Sequence, residues 1–579
     1  MTALRLDPAT LDVAVEDLQA HAGGWVATGV SARIGLLDRL MAAVLVQAPG
    51  MTGAAASAKG YPPDSPWAVE DWVGGPWALA QAARAYTHVL RRLQHGKAPV
   101  PARAVHEQPG RTVVDVFPAA GGDRLLFNAY RAQAWMTPGI TPERARADAA
   151  RTYRAAGREP GVALVLGAGN VAAITALDTL HQLYVQDHVV VAKLNPVNAY
   201  LRPFLEAIFS EFIDHGWVHI VEGGAEVGGY LAGHHLVGSV HVTGSARTHD
   251  ALVWGDDGHT ALRRRAGTPL LTKPLSAELG GVSPCIVVPG RWSAADYRYQ
   301  AEHIVSTKLN NAGHNCIATQ ILVLPDGWDG SDRLLTEIRG VLAAVPPRPD
   351  YYPGAADRVA GLAAAHPSAE SYAHPSGGTG CGLLVPVPSG SAGAGAYEDP
   401  LLHEEVFATV LGVVRLPGAG EGSFLDRAVD FANDHLPGTL AAMVIIDPGT
   451  ERSDHRALTR AVERLRYGTV GVNTWAGYSW LLGYPPWGAH PGHTPADVGS
   501  GTGHVHNAFM LEGVQKTVIR SPFAPVARGL LHHSPSMSPK PPYFVTNRTG
   551  TDTVRRMLGY TARPGVHRLP GIFTSALRG

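Results

Sequence analysis

The sequence predicts an α/β protein in which a Rossmann-like parallel sheet precedes a second α/β unit. Four apolar segments without polar alternation are separated by helical patterns, namely VALVLG (162–167), HVVVAKL (188–194), VHIVEG (218–223) and GSVHVTGS (238–245). Segments of this kind are typical of parallel strands that helices cover on both faces. The chain has 579 residues, which is more than a single hydrophobic core usually accommodates. In such a sheet, ligands are expected at the carboxyl ends of the strands.

Composition and charge favour an ordinary globular protein over nucleic-acid-binding, membrane and disulfide-rich classes. Hydrophobic residues make up 45% of the chain and charged residues 17%, as in ordinary soluble globular proteins. The formal net charge of −1 gives no basic surface for nucleic acid and no polybasic membrane signal. The amino terminus lacks the pattern of a signal peptide, and no window approaches eighteen consecutive apolar residues. Three cysteines are too few for a disulfide framework. We therefore expect a cytoplasmic protein without a membrane span.

The remaining elements follow in chain order. Residues 1–100 have helical periodicity, and RTVVDVFP and RLLFNAYRAQAWM on either side of AAGGD predict a hairpin over 111–136. A helix is expected at about 198–214, a further α/β repeat up to about 480, and a loop over the Gly/Ser-rich segment 388–400. The last 75 residues have little periodicity and are expected to form an arm along a neighbouring domain or subunit.

Three residues are candidates for catalysis, each with an ordinary structural alternative. Cys316 lies in the polar stretch LNNAGHNCIATQ, where a thiol would be accessible, whereas Cys285 in SPCIVV suits a buried core position. Cys381, between glycines, fits the core alternative less firmly. Glu278 in AELGG could point into a cleft, but on its own it is better explained as a surface glutamate. Asn170 in the first strand-to-helix turn could cap the helix, which is the default, or donate to an oxyanion.

Together these segments resemble the aldehyde dehydrogenase superfamily in order and spacing. The resemblance rests on GAGN, VVVAKLNP, VHVTGS, ELGGVSPCIV, NNAGHNCIATQILV, HEEVFATVLGVV and the closing GTVGVNTWAG, PPWGAHPG and SGTG. It covers about residues 160–510. It implies a Rossmann-like cofactor domain, an α/β catalytic domain with a nucleophilic cysteine, and a small oligomerisation hairpin or arm.

The resemblance also implies a catalytic role for each of the three candidates. Cys316 would attack an aldehyde to form a thiohemiacetal and then a thioester. The Asn170 amide and the Cys316 backbone N–H would hold the oxyanion. Glu278 would activate the water that releases the acid, and a role in activating the thiol is also open.

A nicotinamide cofactor is implied by the same resemblance. Lys193 would contact the adenosine ribose, and Glu405 would hold the nicotinamide ribose with Phe407 beside it. Gly244 and Ser245 would face the pyrophosphate at a helix N-terminus. Gly169 is also assigned to the cofactor. Because Pro196 stands where many members carry an acidic or small polar residue, NAD and NADP both remain open.

Aromatic residues are concentrated near 475–487, where the family lines its substrate tunnel. Trp475, Tyr478 and Trp487 are the predicted substrate contacts, which favours a bulky apolar or aromatic aldehyde. A packed hydrophobic cluster under a loop explains them equally well. Trp487 replaces the aromatic of the family's Pro-Phe-Gly-Gly turn. The many histidines do not have metal-ligand spacing, so no metal site is expected.

Two other functions are considered beside hydrolytic aldehyde oxidation. The thioester could pass to coenzyme A, or the enzyme could run backwards as an acyl reductase. A non-catalytic dinucleotide-binding homologue is the least favoured. The predicted division is a cofactor domain over 1–275, a catalytic domain over 276–480 and a C-terminal return and arm over 481–579. A homodimer or homotetramer is expected from the resemblance, with the 111–136 hairpin pairing across subunits.

Overall fold

A computed structural model describes most of the chain. The described residues are 7–155, 157–346, 348–372, 382–388, 397–418, 423–533 and 538–579. Cys381 and residues 389–396 of the predicted loop lie outside them.

Helices form the amino-terminal region and cover the sheets. They are α1 (Pro8–Ala27), α2 (Val30–Ala58), α3 (Ala68–Trp72), α4 (Ala78–Gln94), α5 (Gly121–Leu126), α6 (Pro142–Asp148), α7 (Ile174–Tyr184), α8 (Arg202–Ile208), α9 (Ser210–Asp214), α10 (Ala225–Gly233), α11 (Ala246–Trp254), α12 (Thr260–Ala266), α13 (Ala294–Leu309), α14 (Asp329–Ala344), α15 (Ala355–Ala365), α16 (Pro400–His403), α17 (Phe424–His435), α18 (Pro448–Ser453), α19 (His455–Arg464), α20 (Gly477–Leu481), α21 (Val526–Gly529), α22 (Gly550–Ala562) and α23 (Leu569–Ala576).

Strands form two large sheets and one short ribbon. They are β1 (Val105–Gln108), β2 (Arg111–Phe117), β3 (Arg131–Met136), β4 (Val162–Leu166), β5 (Val189–Lys193), β6 (Val218–Val221), β7 (Ser239–Gly244), β8 (Leu275–Leu279), β9 (Ser283–Val287), β10 (Thr319–Asp326), β11 (Glu370–Ser371), β12 (Leu383–Pro386), β13 (Val410–Pro417), β14 (Ala441–Ile445), β15 (Thr469–Val472), β16 (Pro486–Trp487), β17 (Gly501–Thr502), β18 (Val505–His506) and β19 (Val514–Arg520).

The first sheet has the order β17-β8-β7-β4-β5-β6 in the described chain. All of its strands are parallel except β17, which runs antiparallel to β8. The side chains of β4 and β5 are buried throughout, as the unbroken apolar runs predict for strands covered on both faces. The α/β class with a Rossmann-like parallel sheet is confirmed. Because these strands are parallel, the turns that follow β4, β5 and β7 all open at one edge of the sheet.

The second sheet has the order β1-β2-β3-β19-β15-β14-β9-β10-β13-β12-β11. Its centre, from β19 to β12, is parallel, and its two ends are antiparallel. The 111–136 hairpin is thus joined to β19 of its own chain, and pairing across subunits stays a prediction.

The 111–136 segment also contains a helix that the sequence analysis missed. The AAGGD turn leads into α5, and only residues 131–136 of the second predicted strand are extended. The Asp123 carboxylate accepts the backbone N–H of Ala120 at 2.8 Å and pairs with Arg84 at 2.8 Å, so a contact from α4 stabilises a helix start in a turn-like sequence.

The two termini pack on the sheet domains and on each other. Helix α2 has the length and apolar composition of a membrane-crossing helix, the one such helix in the described part of the chain. In this structure its buried residues, among them Leu37 and Val44, belong to the main hydrophobic core. From the C-terminal arm, Arg555 of α22 stacks on Trp72 of α3 with 5.0 Å between its guanidinium carbon and the ring centroid.

The predicted division at 275/276 falls at the start of β8, which belongs to the first sheet. The change from the first sheet to the second lies after Leu279, between β8 and β9. Residues 501–502 return to the first sheet as β17. Glu278 therefore lies on the last parallel strand of the first sheet, next to the second.

Candidate active site

A cleft of about 850 Å³ opens at the carboxyl edge of the first sheet. All six residues assigned to the cofactor from the sequence line this cleft: Gly169, Lys193, Gly244, Ser245, Glu405 and Phe407. Cys316, Asn170 and Glu278 line its inner end.

The turn and helix start beside the cleft have the form of an anion site. A Cβ at Gly169 would lie 2.6 Å from the Asn195 Oδ1 atom, so the turn after β4 packs too closely for any side chain. Ser245 caps α11, its Oγ accepting the Thr248 N–H at 3.2 Å. The N-terminus of α11 thus directs backbone N–H groups and a positive dipole end toward the cleft.

Lys193 ends β5 at the cleft wall and is 8% exposed. Burial lowers the pKa of its ammonium group, and the carboxylate of Glu226 partly opposes this shift. Glu226 lines the same cleft and was not among the predicted residues. The pair gives this part of the cleft one positive and one negative group.

Glu405 and Phe407 approach the cleft from the second sheet's side. The Glu405 carboxylate lies so close to the backbone that a Cβ at Gly280 would meet its Oε1 at 2.1 Å. Burial raises the pKa of Glu405 to about 8, against the opposing charge of Lys308. The Phe407 carbonyl contacts the His314 Nδ1 atom at 2.8 Å, which links this segment to the loop that carries Cys316.

A narrower cavity of about 60 Å³ meets the cleft at the three predicted catalytic residues. Asn170, Glu278 and Cys316 line both spaces. A molecule in the cleft and a molecule in the narrow cavity would therefore meet beside the Cys316 thiol.

The Cys316 thiol is partly exposed, whereas Cys285 is fully buried within β9. Burial raises the pKa of Cys316 well above its usual value, and the carboxylates of Glu278 and Glu405 raise it further. The thiol is consequently neutral near pH 7 and needs a base before it can act as a nucleophile. The core interpretation of Cys285 agrees with its place in the structure.

Glu278 is buried, which overturns the surface-glutamate alternative. Only 4% of the residue is exposed. Its Oε1 accepts the indole N–H of Trp487 at 2.5 Å, while its Oε2 has no partner within the described residues. Burial raises the pKa of Glu278 to about 8, with a further increase from Asp178, while the Trp487 hydrogen bond and His241 lower it. Such a carboxyl group can hold or release a proton near neutral pH.

Asn170 does not cap the following helix, contrary to the default interpretation. Helix α7 begins only at Ile174, and its capping residue is Ala173. The Asn170 Nδ2 instead donates to the His314 carbonyl at 3.1 Å. Its amide is thereby held against the loop of the thiol.

The turn before Cys316 has an uncommon backbone. Asn311, Ala312 and Gly313 are left-handed, with φ of 55°, 56° and 73°. At Gly313 a Cβ would lie 2.4 Å from the Ala408 backbone, so this position requires glycine. For Asn311 and Ala312 the conformation costs energy that surrounding contacts must offset.

Those contacts come from the amino-terminal helices, which the sequence analysis did not connect with the site. The Asn311 N–H donates to Glu70 Oε2 at 2.9 Å, and Lys59 Nζ donates to Asn311 Oδ1 at 2.8 Å. Lys59 also pairs with Asp71 at 2.6 Å, and Glu70 with Arg348 at 2.5 Å. These charged groups are buried and mutually neutralised. Nothing in the local sequence of 59–71 marks them, because their partner is 240 residues or more away.

Two of the three predicted substrate contacts line the narrow cavity. Trp475 and Trp487 lie on its wall together with Trp480 and Leu481. Tyr478 is not part of that lining and packs instead on Tyr130, with 5.0 Å between ring centroids. Helix α20 turns Gly477, Trp480 and Leu481 toward the cavity at i, i+3 and i+4 spacing, which directs Tyr478 to another face. In this structure Tyr478 lies in a packed aromatic cluster, and its assignment to substrate stays a prediction.

The known proteins reported below, to which the sequence is similar, are all aldehyde dehydrogenases. The model of the aldehyde dehydrogenase family matches residues 126–338, a segment that includes Asn170, Glu278 and Cys316. The chain is 26% identical over 287 residues to D-glyceraldehyde dehydrogenase (NADP(+)) of Thermoplasma acidophilum, which is 47% of this chain and 51% of that protein. It is 27% identical over 198 residues to coniferyl aldehyde dehydrogenase of a Pseudomonas species, covering 33% and 37% of the two chains.

The fold is shared over a longer stretch. The crystal structure of NAD-dependent aldehyde dehydrogenase from Sinorhizobium meliloti superposes with a TM-score of 0.59 at 17% identity, over 89% of this chain and 87% of the other. In sequence, the chain spans about half the length, or less, of these two curated relatives.

Proposed function

We propose that the chain, which the aldehyde dehydrogenase family model matches over residues 126–338, is an aldehyde dehydrogenase that oxidises a bulky apolar or aromatic aldehyde to a carboxylic acid with NAD or NADP. The observation that carries the proposal is the meeting of two spaces at one thiol. A cleft of dinucleotide size and a narrow aromatic cavity share Cys316, Asn170 and Glu278.

The residues of the cleft fit a nicotinamide dinucleotide. The close-packed turn at Gly169 and the N-terminus of α11 suit a pyrophosphate. Lys193 and the buried Glu405, whose Oε1 lacks a partner in the described chain, would bind ribose hydroxyls. When bound, the cofactor supplies a hydride acceptor for the aldehyde carbon.

Catalysis begins with the neutral thiol of Cys316. An ionised Glu278 takes the thiol proton, directly or through one water, and the sulfur forms a bond to the aldehyde carbon. The carbonyl oxygen becomes an oxyanion beside the Asn170 Nδ2 and the Cys316 backbone N–H, which stabilise the developing charge. After oxidation of that carbon, Cys316 carries a thioester.

Release of the acid requires water and a base. After Glu278 has released the thiol proton to solvent, its Oε2, which has no hydrogen-bond partner among the described residues, takes a proton from water as the water oxygen attacks the thioester carbon. The C–S bond then breaks, and the Cys316 sulfur takes that proton back from Glu278. A buried glutamate at this position supports hydrolysis rather than acyl transfer to coenzyme A.

The substrate class follows from the cavity wall. Trp475, Trp480 and Trp487 supply flat apolar surface, which suits an aromatic ring or a branched chain better than a small hydrated aldehyde. The similarity to a coniferyl aldehyde dehydrogenase supports the same class. A cytoplasmic homodimer or homotetramer, without nucleic acid or membrane partners, completes the proposal.

An aldehyde panel tests the proposal. Benzaldehyde, cinnamaldehyde, octanal and glyceraldehyde are each supplied with NAD or NADP, with and without coenzyme A. The expected result is reduced cofactor and free acid without coenzyme A, with the highest kcat/KM for the aromatic members. Strict dependence on coenzyme A, or no reduced cofactor with any aldehyde, would contradict the proposal.

A further inference from the structure

We infer that Trp487 is a positioning residue for Glu278: its indole N–H holds one carboxylate oxygen and leaves the other free to take protons. The inference rests on the proposed function, since it assigns a role in the step that releases the acid. Trp487 stands where the resemblance leads us to expect phenylalanine. Tryptophan can donate a hydrogen bond from its indole N–H, whereas phenylalanine cannot.

The hydrogen bond joins two segments far apart in the sequence. Trp487 Nε1 lies 2.5 Å from Glu278 Oε1, and both residues are almost fully buried. Glu278 Oε2 has no hydrogen-bond partner within the described residues, yet the residue lines both the cleft and the cavity. The two oxygens therefore have different environments, one tied to the protein and one available to a reacting molecule.

The indole cannot easily move away from the carboxylate. Trp487 lies on β16, which pairs with β18. A Cβ at the next residue, Gly488, would lie 2.3 Å from the Gly503 carbonyl oxygen, so the two segments are in close contact. On the other side, Thr517 donates to the Pro486 carbonyl at 2.7 Å. Backbone contacts before and after Trp487 thus hold its main chain in place, and burial of the ring restricts its movement.

The charges around Glu278 make the Trp487 N–H important for stabilising the ionised carboxylate. The charge of Asp178 on α7 acts on the Glu278 carboxyl group. The Asp178 Oδ2 lies 3.5 Å from His241 Nε2 of β7, and the Thr243 hydroxyl donates to the same oxygen at 2.8 Å. The Cys316 thiol faces Glu278 from the loop side. Burial and Asp178 both favour the protonated form of Glu278, whereas the Trp487 N–H and His241 favour the ionised form that the reaction needs.

A purely structural role predicts a different result from a positioning role. Phenylalanine keeps most of the buried aromatic surface of tryptophan but has no N–H. If Trp487 only fills space, Trp487→Phe affects stability or the KM of the aldehyde. If it holds Glu278, the variant changes the pH dependence of the step that Glu278 performs.

The test compares acyl-enzyme breakdown in wild type, Trp487→Phe and Trp480→Phe across pH 6 to 10. Acyl-enzyme is followed by quenched-flow mass spectrometry, and reduced cofactor by absorbance. Trp480 is the matched control, since it lines the same cavity and no hydrogen bond joins it to Glu278.

For Trp487→Phe we expect a burst of cofactor reduction followed by acyl-enzyme breakdown that is about tenfold slower than in wild type at pH 7. The pH midpoint of the breakdown rate should be about one unit higher, because the ionised carboxylate loses a hydrogen bond. Trp480→Phe should keep the wild-type midpoint. An unshifted midpoint in Trp487→Phe would overturn the inference. Absence of any cofactor reduction in wild type would instead overturn the proposed function.

A second measurement does not depend on the folding of Trp487→Phe. In wild type labelled with 15N-tryptophan, one indole N–H resonance should move with pH in step with acyl-enzyme breakdown, and in Glu278→Gln it should no longer titrate. If no indole resonance titrates in a Glu278-dependent way, the inference fails.

Discussion

At the residue scale, the site contains three buried acids or thiols that all favour their neutral forms. Burial raises the pKa of Cys316, Glu278 and Glu405, and the two carboxylates raise the pKa of Cys316 further. A neutral thiol next to a partly ionised carboxyl group is protected from accidental oxidation until a base removes its proton.

Replacement of Cys316 by alanine should reduce turnover at least about 1,000-fold, since the nucleophile is lost. Cofactor binding, measured by fluorescence, should remain because the cleft is intact. Cys285→Ala is the matched control and should stay active, as Cys285 is enclosed in β9. Comparable activity in Cys316→Ala would refute the assignment.

The pKa of Glu278 sets the pH dependence of acyl-enzyme breakdown. A general base works only when ionised, so a pKa of about 8 means that the rate rises tenfold per pH unit below pH 8 and levels off above it. In Glu278→Gln the breakdown rate should be low and independent of pH in this range. A wild-type rate that falls between pH 7 and pH 9 would show that the base is another group.

Sequence reasoning identified the three catalytic candidates but not their surroundings. Cys316, Glu278 and Asn170 are candidates from short local motifs. The hydrogen bond to Glu278 comes from Trp487, 209 residues away, and the charge that raises its pKa comes from Asp178, 100 residues away. An aromatic cluster in the sequence does not reveal which face of a helix each ring occupies, so the position of Tyr478 outside the cavity lining could not be predicted.

At the element scale, the amino-terminal helices complete the site by holding the turn of Asn311. Lys59 binds the side chain of Asn311 and Glu70 accepts its backbone N–H, and we call these two residues the clamp. The same turn also contacts Asn170, because the Asn311 Nδ2 donates to the Asn170 carbonyl at 2.8 Å. Loss of the clamp should therefore disturb the nucleophile and the oxyanion donor together.

Lys59→Met should lower kcat about tenfold and the free energy of unfolding by about 3 kcal/mol, because it leaves the Asp71 carboxylate buried without its cation. The double variant Lys59→Met/Asp71→Asn should recover part of the stability but not kcat. Lys97→Met, at an exposed lysine, serves as the control. Full kcat in Lys59→Met would show that the turn does not need the clamp.

The strands were predictable where apolar runs are continuous, and the ends of elements were less so. β4, β5, β6 and β7 lie within the segments expected from sequence. The expected hairpin turn at 119–123 instead begins α5, since the contact of Asp123 with Arg84 cannot be seen in a local window.

At the scale of the whole molecule, the C-terminal arm packs on the amino-terminal helices. Thr561 of α22 lies 3.2 Å from Gln81 of α4 in a side-chain hydrogen bond, and Val554 of α22 is 1% exposed. The sequence predicted an arm but not its partner, because neither the first hundred residues nor the tail has a recognisable motif.

Val554→Asp should lower the free energy of unfolding by about 3 kcal/mol, since it buries a carboxylate without a partner. Chemical denaturation measures the effect. Val566→Asp makes the same change at a residue that is 80% exposed and should be neutral. Equal stability of the two variants would mean that α22 does not pack on the body of the protein.

The central claim is that the Cys316 sulfur carries the acyl group during aldehyde oxidation. The most direct measurement is acid quenching during turnover of an aromatic aldehyde with NAD or NADP, followed by peptide mass spectrometry. The account predicts an acyl mass on the peptide containing Cys316, equal in amount to the burst of reduced cofactor and accumulating further in Glu278→Gln. Cofactor reduction with no acyl group on Cys316, or with the acyl group on Cys285, would contradict it.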